Sequence, residues 1–377
     1  MDKPIKVLQI IGDVVGGGVE TVIMNYYRNI DKTKIQFDFV VHKGALPQYI
    51  TQVKNYGGKV YEITSYKSNI LKYTYEIYKI IKENNYEIVH SNMNSLSGFS
   101  LFAAYLAGAK VRILHNHTTD NPAEGIRTIA KRILRPFARL FANQYWACSK
   151  LAAEWMYGKN AVTNAKVTII NNAIDLEKFK FNKEKREKLR KKLGIENCFV
   201  IGHVGRFVKT KNHEFLIEIF NEILKQKNNV KLLLIGDGNL KSLIEAKVQN
   251  LGIEKAVIFL GVRNDVADLY NVMDVFVFPS FYEGLGMVVI EAQVNGLSVV
   301  TSDGVSEETV VTDNIKFLSL QKVRDEWLDV IINAERKEIE NNRDGLLKNF
   351  DIKSESKKLE ALYLSFIRRY YEKYYRK

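Results

Sequence analysis

Short apolar runs alternate with longer amphipathic stretches from the first residues onward. Ile5-Lys6-Val7-Leu8-Gln9-Ile10-Ile11 reads as a strand, and the glycine triplet Gly16-Gly17-Gly18 follows it. Glu20 to Asn29 then carries apolar side chains at helical spacing. Phe37 to Val41, Lys59 to Ile63, Glu87 to Ser91, Val111 to Leu114 and Gln144 to Cys148 are further strand-like runs, and Ile70 to Glu83 is a tyrosine-rich helix. Strands that alternate with helices predict an α/β fold with a parallel, doubly wound sheet.

The texture changes near residue 171. Asn171 to Asp175 reads as a loop, and Lys180 to Lys192 is a dense charge run, expected to be a solvated linker helix. The first pattern then restarts. Strands are predicted at Phe199 to Val204, Lys231 to Ile235, Val257 to Leu260, Val275 to Pro279 and Ser298 to Ser302. Helices are predicted at His213 to Lys225, Leu240 to Leu251, Val266 to Asn271 and Met287 to Asn295. Two such units imply two Rossmann-like domains with a cleft, and ligands beyond the carboxyl ends of the strands. The expected divisions are residues 1–180, residues 181–350 and a last helix over 351–377.

Length agrees with this reading, because 377 residues suggests two domains, or three small ones, at about 150 residues per domain. With 46% hydrophobic and 26% charged residues, the chain can bury ordinary cores. Its longest apolar runs fall short of the ~18 residues a membrane span needs. Cys148 and Cys198 are too few for a disulfide framework or a zinc cage, and both are expected in the core. Met1-Asp2-Lys3-Pro4 leads straight into a strand without a secretory pattern, so a cytoplasmic protein is expected. The net charge of +13 favours anionic partners: nucleic acid, anionic lipid or phosphorylated small molecules.

Four segments could carry chemistry. Gly16-Gly17-Gly18-Val19-Glu20 joins a strand to a helix, which suits an anion or a sugar, or is a plain tight turn. It matches neither the dinucleotide fingerprint nor the Walker A loop. Gly205-Arg206-Phe207-Val208-Lys209-Thr210-Lys211 sets cations at a strand end, which suits a diphosphate, or is an exposed basic loop. Pro279 to Ala292 runs from a strand through a glycine turn into a helix, so Gly284, Leu285, Gly286 and Met287 can offer amides to phosphate. Glu283 and Glu291 flank that turn and suit sugar hydroxyls, one a hexose and the other a ribose. His115 and His117 end a strand on one side of the sheet, as structural or as catalytic residues. Without carboxylates at ligand spacing they make a poor metal site.

Together these pieces resemble the family 4 retaining glycosyltransferases of the GT-B fold, over nearly the whole chain. The most specific parts are Glu283 to Glu291 (Glu-x7-Glu) and Gly205 to Lys211. Gly17-Gly18-Val19-Glu20, Ile235-Gly236-Asp237-Gly238 and the segment Phe259 to Val266 also match. The resemblance implies an acceptor-binding N-terminal domain and a nucleotide-sugar-binding C-terminal domain. It implies that Arg206 and Lys211 neutralise the diphosphate, with Gly205 and Gly236 beside them. Glu291 would hold the ribose, Glu283 the donor sugar, and the backbone of Val262 and Arg263 the base. Gly17, Gly18 and His117 would approach the sugar and diphosphate. The family uses a nucleotide sugar, here expected to be UDP-linked, with no metal or cofactor. Gly286 and Met287 depart from the proline common in relatives and leave the sugar unassigned. A nucleotide-sugar 2-epimerase of the same architecture is the alternative.

The basic excess has a local expression. Ile126 to Gln144 interleaves Arg127, Lys131, Arg132, Arg135 and Arg139 with apolar residues and holds no acid. This suits a helix on an anionic membrane, kinked at Pro136, or a core helix with a solvated basic face. Phe366 to Lys377 is again basic and aromatic, which suits an interface or packing onto the N-terminal domain. The expectation is a peripheral enzyme at the inner face of the plasma membrane, acting on a lipid-linked saccharide in capsule or exopolysaccharide assembly. No helix-turn-helix, RNP or zinc pattern supports nucleic acid as a partner.

Overall fold

The computed structural model describes residues 3–14, 17–119, 126–321, 324–337 and 347–375. The chain forms two compact units, Met1–Ile174 with Asn349–Lys377, and Asp175–Lys348.

The first unit is built on seven strands: β1 (Ile5–Gly12), β2 (Ile35–His42), β3 (Val60–Ile63), β4 (Ile88–Ser91), β5 (Val111–Asn116), β6 (Gln144–Ala147) and β7 (Thr168–Ile169). All pair in parallel in the order β3-β2-β1-β4-β5-β6-β7. Successive apolar residues on a strand enter opposite cores. Val7 joins a cluster with Phe37, Phe39 and Ile113, whereas Leu8 joins one with Val40, Ile77 and Leu114. That is why these strands are continuously apolar: both faces are covered. The last helix, Ile352–Tyr375, puts Leu359, Tyr363, Phe366 and Ile367 into the first of these cores. Tyr371 bonds Lys110 and Glu87, so part of the basic, aromatic C-terminus packs on its own unit. Arg376 and Lys377 lie outside the described residues.

The second unit repeats the plan with β8 (Phe199–Val204), β9 (Val230–Ile235), β10 (Val257–Gly261), β11 (Val275–Phe278), β12 (Ser298–Ser302) and β13 (Ile315–Leu318). Their order is β10-β9-β8-β11-β12-β13, again parallel. In each unit the strand order reverses beside the first strand, between β1 and β4 and between β8 and β11. Loops leaving those strand ends diverge there and open a crevice for ligands.

Sequence periodicity passed over the short elements. The helices Pro47–Asn55, Ser97–Leu106, Lys150–Tyr157 and Arg324–Ile332 and the strands β7 and β13 complete the layers. Two expectations need correction. The charged helix Lys183–Leu193 has no buried residue but is not a free solvated linker. Arg186 and Arg190 clasp Asp274, at 2.5 and 2.7 Å, and Arg186 also donates to the carbonyls of Asn271 and Met273. A guanidinium can dock a helix without any apolar contact, so hydropathy does not register it. Cys148 is buried, but Cys198 is only partly so.

Candidate active site

In the second unit the loop after β8 turns from Gly205 through a single 3-10 turn, Lys209–Lys211, into the helix His213–Gln226. Backbone bonds lace it to the loop after β9: Gly205 N to Ile235 O, 2.9 Å, and Phe207 N to Asp237 O, 3.0 Å. Gly236 makes this possible. Its φ is +138°, and a Cβ there would stand 2.1 Å from the Gly205 carbonyl oxygen. A further bond, Phe281 N to Thr210 O at 2.9 Å, fastens the loop after β11 to that after β8.

These ties bring Lys211 and Glu283 together across 72 residues of sequence. Lys211 Nζ donates to Glu283 Oε1 at 2.5 Å and lies 4.5 Å from the centroid of the Phe278 ring. Glu283 is anchored by its own backbone, its N–H donating to Gly304 O and its carbonyl accepting from Ser306 N. Beyond it, Gly284 to Met287 donate no amide hydrogen to an acceptor among the described residues. Those N–H groups open the helix Met287–Val294, where partial positive charge gathers. Arg206, exposed at the other rim, makes no ion pair among the described residues.

Glu291, one turn into that helix, is partly buried and accepts from Tyr270 Oη at 2.9 Å. Burial lifts its carboxyl to about 7, against the opposing pulls of the Tyr270 hydrogen bond and Lys178. Val262 is 75% exposed, at the mouth of the β10 loop. The Arg263 guanidinium is held by Asp265 in two bonds, 2.8 and 2.6 Å.

The first unit carries a polar chain at the ends of β1, β4 and β5. His117 Nε2 meets Asn92 Oδ1 at 2.9 Å, and Asn92 Nδ2 donates to Gln9 Oε1 at 3.0 Å. Gln9 Nε2 donates to Tyr363 Oη at 3.1 Å, Tyr363 meets His90 Nδ1 at 2.7 Å, and His90 Nε2 meets His115 Nδ1 at 3.0 Å. Each amide has one donor and one acceptor end, so the chain can run only one way or the other. The His90 carbonyl decides, because it accepts only, and Asn92 Nδ2 faces it at 3.4 Å. With Asn92 so oriented the His117 proton sits on Nε2, and Nδ1 is buried without a hydrogen-bond partner among the described residues. Burial lowers His117 to about 4 and outweighs the raising effect of Asn172, so the ring is neutral at physiological pH. The His115 ring lies 4.0 Å from it, centroid to centroid and tilted by 35°, but belongs to the buried chain.

Other sequence-predicted residues are placed differently from one another. Gly17 precedes the helix Gly18–Asn29, but its N–H is taken by the Glu20 carboxylate at 2.5 Å, so the helix start serves its own side chain. Among the described residues, nothing outside its own helix backbone and chain neighbours approaches within 4 Å of a Cβ built on Gly18. Gly16 lies outside the described residues, as does the side chain of Arg127. The helix Ile126–Phe141 continues through Pro136. Arg135 is turned inward, donating to the Trp155 carbonyl with its guanidinium 5.3 Å from the Trp155 ring. Lys131 is partly buried, while Arg132 and Arg139 are exposed. Asn92, Gln9, Tyr363 and Tyr270 escaped sequence reasoning: each is an ordinary polar or aromatic residue until the fold sets it beside a candidate site residue.

Residues 16–178 match the model of Glycosyltransferase Family 4, and residues 185–350 that of Glycosyl transferases group 1. The protein named EpsF of Bacillus subtilis (strain 168) is similar at 33% identity over 336 residues, 87% of each chain. The chain belongs to glycosyltransferase family 4. This transferase is also 26% identical, over 79% of its length and 80% of the relative's, to an Escherichia coli protein named UDP-Gal:alpha-D-GlcNAc-diphosphoundecaprenol alpha-1,3-galactosyltransferase. The fold is GT-B, as in Anabaena HepE in complex with UDP and glucose, which superposes with a TM-score of 0.76 at 20% identity over 96% of this chain and 99% of that one. Among the described residues no helix is long and apolar enough to cross a membrane.

Proposed function

We propose that this glycosyltransferase moves a hexose or N-acetylhexosamine, with retention, from a UDP-sugar to a lipid-linked saccharide in surface polysaccharide assembly. The observation that carries the reading is the Lys211–Glu283 pair beside four undonated amides at a sheet switch point. Cleavage of a sugar–diphosphate bond passes through an oxocarbenium-like state while negative charge grows on the departing phosphate. A cation and a row of amides already fixed where that charge develops stabilise it without reorganisation. Arg206 and Lys211 take the diphosphate with those amides, so fixed cations rather than a divalent ion balance it. Glu283 accepts hydroxyls of the transferred sugar, Glu291 accepts those of the ribose, and the backbone at Val262 and Arg263 meets the base. Within the first unit, His117, Gly17 and Gly18 are assigned to substrate binding.

The UDP-linked donor and lipid-linked acceptor are supported by the names of the similar E. coli protein and of the HepE complex. Capsule assembly is supported by 25% identity to CapH of Staphylococcus aureus, named for capsular polysaccharide biosynthesis. With such an acceptor the enzyme works at the inner membrane surface, and the exposed basic helix Ile126–Phe141 is the part suited to anionic lipid. The test is a thermal-shift panel with UDP, GDP, ADP and NAD, followed by UDP-sugar turnover with and without a chelator. Stabilisation by UDP alone is expected, with chelator-independent turnover. Stabilisation by GDP or ADP instead would replace the donor, and no shift would remove the diphosphate site.

A further inference from the structure

The hydrogen-bond chain that leaves His117 returns to its neighbourhood. His117 Nε2 donates to Asn92 Oδ1, and Asn92 and Gln9 hand the same sense of donation on to Tyr363 Oη. Tyr363 stands on the C-terminal helix Ile352–Tyr375, is fully buried, and has a single hydrogen to give. Gln9 Nε2 is itself a donor and cannot take that hydrogen. His90 Nδ1, at 2.7 Å, is the acceptor that remains. A hydroxyl hydrogen buried without an acceptor carries the full desolvation penalty of the group. His90 Nδ1 is therefore bare, and the His90 proton lies on Nε2, which donates to His115 Nδ1 at 3.0 Å. His115 in turn carries its proton on Nε2.

Two ring atoms end this chain, His115 Nε2 and His117 Nδ1. Both are buried without a hydrogen-bond partner among the described residues. The first has a proton to donate and the second a lone pair to offer, and their rings are neighbours, 4.0 Å between centroids. The rings are also confined. His90 and His115 stack at 5.1 Å and 17°, and Trp146 stands edge-on to both, at 4.9 and 5.9 Å. An O–H group matches the two open ends, because it accepts one hydrogen bond and donates one. We propose that Tyr363 is a positioning residue: acting through His90, it makes His115 a donor, so that His115 and His117 together hold one O–H group, a hydroxyl of the substrate sugar or an ordered water. The proposal rests on the assignment of His117 to substrate binding above and adds His115, Tyr363 and the direction of the bonds. Hydrogen bonds that all run one way strengthen one another, so the hydroxyl of Tyr363 is felt at the far end.

The experiment uses the full chain with nitrogen-15 in its histidines. Without ligand, the parent should show His115 protonated on Nε2 and bare on Nδ1. Tyr363→Phe keeps the ring and removes the hydroxyl, so His90 and His115 should then populate both tautomers in a folded protein. Its kcat/KM with a UDP-sugar should fall about five- to tenfold, the scale of one lost hydrogen bond, while affinity for UDP alone is unchanged. His115→Phe should fall at least as far, and His115→Gln, whose amide can set an N–H near the place of Nε2, should recover part of the loss. UDP-glucose, UDP-galactose, their N-acetylhexosamine counterparts and the monodeoxy forms of the best substrate separate the two sources of the O–H group. For a sugar hydroxyl, the losses from His115→Phe and from one deoxy position do not add. For an ordered water they add at every position, and the His115 Nε2 proton shows a magnetisation transfer from bound water. A bare Nε2 on His115 in the parent overturns the proposal. So does Tyr363→Phe with the His115 tautomer unchanged, or His115→Phe with unchanged turnover. The tautomers are read without ligand, and UDP-induced stabilisation of the parent reports separately on the donor reading.

Discussion

Lys211 Nζ and Glu283 Oε1 sit 2.5 Å apart, each side chain about four-fifths shielded from solvent. The cation assigned to the diphosphate and the carboxylate assigned to the sugar thus hold one another in place. On the proposed reading, donor binding would exchange this bond for two others, and neither group would have to be drawn from bulk water. Lys211→Ala removes the charge and frees Glu283, and kcat/KM with a UDP-sugar should fall ~10²-fold or more, the scale of one lost preorganised donor. Lys211→Arg should restore only part of it, because a planar fork does not reproduce the point charge over the Phe278 ring. Near-normal turnover in Lys211→Ala would remove the role.

Glu291 predicts a pH dependence that separates stability from binding. Its carboxyl is raised to about 7 by burial, so the folded protein keeps a proton that the unfolded chain loses near 4.5. Stability therefore declines as pH rises from about 4.5 through 7, by about 3 kcal/mol for a shift of this size. Glu291→Gln should be more stable than the parent at pH 8 and nearly equal to it at pH 5, in urea unfolding. The same variant should lose UDP affinity, because an ionised carboxylate is the stronger acceptor for ribose hydroxyls. In the parent, UDP affinity should rise through pH 7. A flat pH profile for both quantities would contradict the assignment.

The polarity of the chain from Gln9 to His117 is open to direct observation. Nitrogen-15 shifts of the imidazoles should show His117 with a protonated Nε2 and a bare Nδ1. Asn92→Asp places a carboxylate 2.9 Å from Nε2, which favours the imidazolium and raises its pKa from about 4. Nδ1 then carries a proton below that raised pKa and can no longer accept a hydroxyl. Activity should be lost toward acid pH and recover as pH rises, a profile that a purely structural defect would not give.

Two glycines should behave in opposite ways. Gly236→Ala puts a methyl 2.1 Å from a carbonyl oxygen at φ +138°, so the loops after β8 and β9 must separate. The expected result is a lower Tm together with lost UDP stabilisation. Gly18→Ala meets nothing within 4 Å and lies in the first turn of a helix, where alanine is the better former. Its Tm should hold or rise. If its turnover also stays unchanged, substrate does not approach Gly18.

The apolar runs alone determined the repeated strand–helix order, the two sheets and the region where one unit gives way to the next. They could do so because strands covered on both faces must be apolar at every position, a local demand written in consecutive residues. Sequence spacing likewise placed Glu283, Gly284 and Glu291 around a helix start, since a turn and one helical turn are local geometry. Tertiary structure decided what those groups meet. Lys211 reaches Glu283 only because two loops are stitched by Phe281 N to Thr210 O. Gln9 and Tyr363, 354 residues apart, join the hydrogen-bond chain that reaches His117 only because the C-terminal helix packs back onto the first sheet. Arg135 and Arg139 read alike in sequence, yet one turns inward to Trp155 and the other stays exposed. Hydrogen bonds and ion pairs between distant segments leave no period in the chain; they are fixed by which surfaces the cores bring face to face.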